Sequence, residues 1–355
     1  MNKESVDKYK KKIVRQYLIL IFTLVFVLAT LFVGAFTYRF YKIDIENQAD
    51  ANVYDKYYVM ITDNYKADFW KSVYEGALAT AKKDNIYVDL LGENLSEGRS
   101  CEELMKIAIA SKVDGIIVYA NESAVMTRLI NDAVSNGIPV VTLYGDSARS
   151  DRLSFVGVGG YSIGKLYGKQ IVSILENKSQ SAEENLETKV CVLASADTQN
   201  TGQNIIISSM QDTISEETGD AQNISVSIVT VDNTNTFSAE ESIRDIFLGE
   251  EVPDVIVCLN ELNTICAYQA VVDFNMVGEV DILGYYDSKE ILSAIDKGVV
   301  YSTISINTDQ LGEYSVSALY DYYEYGNTSQ YYMADITLIN KDNVADFIDK
   351  EGKDE

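Results

Sequence analysis

The chain has 355 residues, enough for two compact lobes rather than one small core. Apolar residues make up 47% and charged residues 23%, and the only prolines, Pro139 and Pro253, exclude a proline-rich or low-complexity architecture. A formal net charge of −25 repels phosphate backbones and argues against nucleic-acid binding, while the absence of histidine removes histidine triads, histidine metal sites and the usual pH switch.

Residues 1–15 form a basic tail, with six basic residues and two acidic ones. Gln16 to Tyr38 then runs for 23 positions without Asp, Glu, Lys or Arg. About 20 apolar residues suffice for a membrane-spanning helix, and Tyr17 and Tyr38 stand where interface aromatics would. The basic tail predicts a cytoplasmic N-terminus, a single-pass cell-membrane location and an extracytoplasmic remainder. A cleaved signal peptide is the competing reading, but its apolar region is shorter and ends in small residues, whereas this run ends in Thr37-Tyr38-Arg39-Phe40-Tyr41. Residues 42–56 are polar and acidic, and 39–56 read as a short juxtamembrane stalk.

From Tyr57 the pattern alternates strand and helix. Apolar runs predict strands at 57–62, 86–91, 114–119, 138–143, 189–194, 225–231, 254–259, 280–285, 301–306 and 333–339. Helical periodicity covers 68–84, 99–111, 123–136, 160–177, 203–216, 238–248, 261–275, 288–297 and 309–325, and 350–355 is a charged tail. Short apolar strands alternating with helices indicate parallel sheets covered on both faces. About ten strands in this length suggest two such sheets, an α/β fold of two Rossmann-like lobes. Cys101, Cys191, Cys258 and Cys266 contain no CxxC pair, so no zinc cluster is expected; they read mostly as buried free thiols, with a Cys258–Cys266 disulfide as the alternative.

Several segments carry a resemblance in order. FWKSVYEGALATAKKDNIYVDLL, VDGIIVY, NDAVSNGIPVVTL and FVGVGGYSIGKLYG are followed by DVIVCLNELNTICAYQAV, DILGYYDSKEILSAIDKG and STISINTDQLGEYSVSAL. Together they resemble the type I periplasmic sugar-binding proteins, of the ribose- and galactose-binding kind, over about 57–340. The same module occurs in LacI-type repressors. The resemblance implies lobe one at 57–158 plus 307–335, lobe two at 159–306 plus 336–349, three crossovers, and a ligand cleft closed by hinge motion.

Ligands of open α/β sheets bind beyond the carboxyl ends of the strands, so the residues there are the candidates. Phe69 and Trp70, the lone tryptophan, align with the family's paired aromatics; core packing at a helix start is the alternative. Asn260 and Glu261 stand where the family often has Asn-Asp, although Asn260 also fits a helix cap. Tyr286 or Asp287 takes the place of the family's Gly-Phe-Asp aspartate. Where the family has Asp-Arg after IPVVTL, this chain has Tyr144-Gly145 and then Asp146, and Gln203 and Asn204 are the nearest substitutes for an expected Arg. Asp63 and Asn64 follow the first strand and face either the cleft or a turn. The set is rich in Tyr, Asp, Asn and Glu and poor in Arg, which favours a neutral sugar or polyol over an anion. Gly157, Gly159, Gly160 and Gly164 read as crossover and helix-packing glycines, not a nucleotide loop. No GxxxxGK[ST], GxSxG or HExxH motif occurs, and neither catalysis nor a cofactor or metal is expected. The expected partners are the sugar-like ligand, the membrane through 16–38, and an ABC permease or, alternatively, a sensor histidine kinase. An enzyme on the same scaffold is the remaining reading.

Overall fold

The computed structural model describes residues 20–24, 26–35, 37, 54–95, 98–179, 187–195, 201–219, 224–233, 235–249 and 251–351. They fall into two compact units, Met1–Tyr54 and Asp55–Glu355. In the first unit the described helical stretches are 20–24 and 26–35, with Thr37. Among the described residues no helix is long and apolar enough to cross a membrane. This corrects the expected span over 16–38 and the single-pass membrane location deduced from it. The basic tail 1–15 and the stretch 39–53 lie outside the described residues.

The second unit contains two six-stranded sheets. Lobe one is built on β1 (Lys56–Ile61), β2 (Ile86–Leu90), β3 (Gly115–Val118), β4 (Val140–Leu143), β5 (Ser154–Val158) and β11 (Tyr331–Ala334), in the spatial order β11-β5-β4-β3-β1-β2. All its pairings are parallel. Lobe two repeats the plan with β6 (Thr188–Ser195), β7 (Ile224–Val231), β8 (Val255–Cys258), β9 (Asp281–Tyr285), β10 (Ser302–Ile306) and β12 (Ile336–Asn340), in the order β12-β10-β9-β8-β6-β7. Here only β12 runs antiparallel to its neighbour. β4 and β9 therefore occupy equivalent places in the two sheets. The central strands are buried along their length, as expected where helices cover both faces.

The helices are α1 (Asp68–Ala81), α2 (Cys101–Ser111), α3 (Ala124–Ser135), α4 (Gly160–Ser179), α5 (Thr201–Thr218), α6 (Thr236–Leu248), α7 (Glu261–Asp273), α8 (Lys289–Asp296), α9 (Thr308–Tyr325) and α10 (Val344–Glu351). Side-chain caps set several starts: Ser100 forms a capping box with Glu103, and Asn260 and Asn307 cap α7 and α9. Two helix pairs approach closely through glycine. A Cβ on Gly312 of α9 would stand 2.2 Å from the Val73 carbonyl oxygen of α1, and one on Gly164 of α4 would stand 2.3 Å from that of Ile206 in α5. Gly164 thus has the packing role its sequence suggested.

Three features depart from the sequence reading. β5 and α10 are elements that the sequence patterns above do not predict. The single strand expected at 333–339 is two strands in different sheets, with the chain crossing between lobes at Asp335. Further crossovers follow β5 at Gly159 and β10 at Asn307. Asn307 N–H donates to the Asp335 carbonyl (3.0 Å), and the Gln310 side chain both donates to Asp335 Oδ2 (2.8 Å) and accepts from Asp335 N–H (2.7 Å). Two crossovers are thereby tied into one clasp. All four cysteines are free thiols; Cys191, Cys258 and Cys266 are buried and Cys101 is half-buried.

Candidate functional site

The aromatic part of the site starts at α1. Ala67 caps this helix without a side-chain bond, and Phe69 and Trp70 lie in its first turn. The Phe69 ring meets Trp70 edge-on at 5.0 Å and Tyr144 at 4.9 Å. It also reaches Tyr286, beyond β9 of the other lobe, edge-on at 5.4 Å. Trp70 packs edge-on against Tyr119 and Tyr144 at 5.7 and 6.0 Å. Such tilted contacts are the favoured arrangement of aromatic quadrupoles. Trp70 is only 5% exposed and belongs to the main core cluster, so it packs as a core residue at the start of α1.

Tyr144 and Tyr286 directly follow the equivalent strands β4 and β9, and both have left-handed backbones, φ +64° and +73°. Bulky residues rarely adopt this conformation, which costs about 1–3 kcal/mol and persists only where the surroundings impose it. Here the backbone is held firmly: Tyr144 N–H donates to the Val156 carbonyl (2.7 Å), Tyr286 N–H to that of Ile304 (2.9 Å), and the Thr303 hydroxyl to the Tyr286 carbonyl (2.7 Å). Across the lobes, Tyr144 Oη donates to Tyr285 Oη at 2.6 Å. Burial raises both phenols above their ordinary pKa, so both stay protonated in the physiological range.

Polar groups surround the rings. Asp63 accepts from Trp70 Nε1 at 2.6 Å. Its side chain keeps access to solvent, yet protein crowds around the carboxyl, and this desolvation raises its pKa against the opposing hydrogen bonds from Trp70 and the backbone. Asp287 is half-buried and accepts from Ser305 Oγ at 2.7 Å; desolvation raises it too. Desolvation, with added repulsion from Asp68, Asp287 and Glu290, raises Glu261 at the start of α7. Asp68 belongs to lobe one and Glu261 to lobe two, so carboxylates sense each other across the cleft.

The remaining candidates are placed differently. Asn260 Oδ1 accepts from Asn263 N–H at 2.8 Å, which is the capping role. The Asp146 carboxylate is committed to Arg152 (2.5 and 2.8 Å), the Thr142 hydroxyl (2.7 Å) and Ser147 N–H (2.8 Å). An Asp-Arg pair thus exists after β4, but it braces a loop. Asn64 is exposed and accepts from Lys66 N–H at 3.3 Å in a turn. Gln203 Oε1 accepts from Ser195 N–H at 3.0 Å, joining α5 to the end of β6, and Asn204 is exposed. The structure brings together Asp63, Phe69, Trp70, Tyr144 and Tyr286, with Asp287 next in sequence to Tyr286. It adds Tyr119 and Tyr285, which the sequence reading missed although both stand at the ends of apolar strands. Among the described residues no group of three His, Cys, Asp or Glu side chains is placed to hold a metal ion.

A profile of the periplasmic binding protein domain matches residues 58–328. Among solved structures, GanP, a glucose-galactose binding protein from Geobacillus stearothermophilus, is 20% identical with a TM-score of 0.71, over 81% of this chain and 98% of that one. XylFII is 25% identical with a TM-score of 0.67, over 81% and 98%. A chain of the XylFII–LytSN complex is 24% identical with a TM-score of 0.65, over 81% and 98%. No curated protein matches the chain.

Proposed function

The chain belongs to the family of periplasmic binding protein domains, and on that premise we propose that its two lobes capture a small neutral sugar or polyol by closing over it. The observation that carries this reading is the aromatic wall of Phe69, Trp70, Tyr144 and Tyr286, drawn from both lobes and edged by Asp63 and Asp287. Aromatic faces cover the C–H surfaces of a sugar ring, while carboxylates accept from its hydroxyls. Asp63, Glu261 and Asp287 would repel a phosphate or carboxylate, and Arg152 is already paired with Asp146. The crossovers at Gly159, Asn307 and Asp335 serve as the hinge.

Closure has two outlets, delivery to a permease and recognition by a partner protein. GanP supports a sugar-binding role, and the XylFII–LytSN complex supports a form of this fold read by a second protein. A thermal-shift screen of the 55–355 unit against sugars, polyols, nucleosides, amino acids and sugar phosphates tests the ligand class. Stabilisation by one or a few neutral sugars or polyols is expected. Stabilisation only by phosphorylated or carboxylated compounds would refute the proposal.

A further inference from the structure

We propose that Tyr144 and Tyr285 form a latch that holds the two lobes together without help from a ligand, and so sets how much of the receptor is closed at rest. The proposal rests on the two-lobed receptor reading but not on any ligand identity. Tyr144 leaves the end of β4 in lobe one, Tyr285 ends β9 in lobe two, and their phenol oxygens meet at 2.6 Å. The contact runs directly from protein to protein.

Both ends of the bond are held. On lobe two, Tyr285 N–H donates to Thr264 Oγ1 at 3.0 Å. The buried Tyr167 hydroxyl, within 2.9 Å of the carbonyl oxygens of both Cys258 and Gly284, braces the strand just before it. On lobe one, the left-handed backbone at Tyr144 aims its phenol across the cleft, and the Val156 carbonyl fixes that conformation. The Phe69 ring touches both Tyr144 and Tyr286, so an apolar seam between the lobes lies beside the polar bond. Tyr144 also stands where the resemblance leads one to expect an aspartate. A phenol there, unlike a carboxylate, donates to the opposite lobe. Strain at a bulky residue persists only where its surroundings over-determine it, and such sites cluster at clamps and switches.

In a two-state opening equilibrium, one net hydrogen bond present only in the closed form is worth about fivefold in the closed-to-open ratio. Tyr144→Phe and Tyr285→Phe each delete the bond and keep the ring. Small-angle scattering of the full chain without added ligand reads the radius of gyration, and Trp70 emission reads the aromatic seam. Each variant is expected to shift the ratio about fivefold towards open. The double variant is expected to go no further, because both substitutions remove the same bond, and circular dichroism melts should show all three variants folded. A radius of gyration and emission unchanged in both single variants would overturn the latch. So would a double variant that shifts twice as far as either single one, since each ring would then act through its own packing. If one variant fails to fold, the other decides alone. The measurement uses no ligand, so its failure would leave the sugar reading standing, and failure of the sugar screen would leave the latch testable.

Discussion

Trp70→Phe isolates the joint between core and cleft. Trp70 Nε1 donates to Asp63 Oδ1 at 2.6 Å, and its rings lie against Phe69, Tyr119 and Tyr144 with only 5% of the residue exposed. Phenylalanine keeps an aromatic face but has no donor and leaves a small void. A hydrogen bond to a charged acceptor contributes about 1.5–3 kcal/mol, and the lower end applies because Asp63 remains open to solvent. The void adds about 1 kcal/mol. The variant should therefore lose about 2–3 kcal/mol, within the usual stability of a folded domain. The assay is a double-mutant cycle with Asp63→Ala, which removes the acceptor, using denaturant melts followed by circular dichroism, because Trp70→Phe removes the sole tryptophan. A coupling energy near 1 kcal/mol is expected. Losses that add to within about 0.3 kcal/mol would refute a direct Trp70–Asp63 bond.

The pH dependence of stability has a definite sign. Asp63, Glu261 and Asp287 all have folded pKa values raised chiefly by desolvation, so the folded state binds more protons than the unfolded chain between the ordinary carboxyl pKa and the raised ones. Stability should fall as pH rises through that window, giving a higher melting temperature just above pH 4 than at pH 7; a triple Asn/Gln/Asn variant should flatten the slope, and a wild-type curve that climbs across the window would contradict the assignment. Gly164→Ala should cost about 1–3 kcal/mol, because the new Cβ meets the Ile206 carbonyl at 2.3 Å. Gly249→Ala, with nothing nearer than 3.3 Å, is the control, and equal melting temperatures for the two would remove the close-packing account. Gln310→Ala breaks both side-chain bonds to Asp335, so the Asp335 amide should exchange roughly tenfold faster in hydrogen-exchange measurements. Unchanged exchange there would show that the clasp does not hold the crossover.

Much of the fold was legible because buried parallel strands write themselves as uninterrupted apolar runs, as in Gly115–Val118 and Val255–Cys258. β5 was harder to see. Its SFVGV run is short, holds Gly157, and is followed by two more glycines, all of which weaken a strand signal. MADITLI reads as one strand, and nothing local to Asp335 reveals that the chain changes sheets there; the Gln310 and Asn307 contacts that fix the crossing come from another element. Over the N-terminal run the hydropathy pattern predicts a span, whereas among the described residues no helix is long and apolar enough to cross a membrane. At the site, the resemblance named Phe69 and Trp70, and the resemblance together with strand-end position named Tyr144, Asp146, Tyr286 and Asp287 as candidates. They did not distinguish Asp287, which keeps a raised carboxyl beside the aromatic wall, from Asp146, whose oxygens are consumed by Arg152, Thr142 and Ser147. Trp70 shows the same limit: sequence offers core or cleft, and the structure places it in the core with its indole N–H on Asp63.

The central claim is that the aromatic wall and its carboxylates receive a neutral sugar or polyol. A crystal structure of the 55–355 unit with the strongest stabilising compound from the thermal-shift screen tests it most directly. The account predicts ligand density between the lobes, with an apolar ring face against Phe69, Trp70 or Tyr286 and hydroxyls within hydrogen-bond distance of Asp63 and Asp287. Density away from the strand ends, or a charged compound bound without contact to these residues, would contradict it.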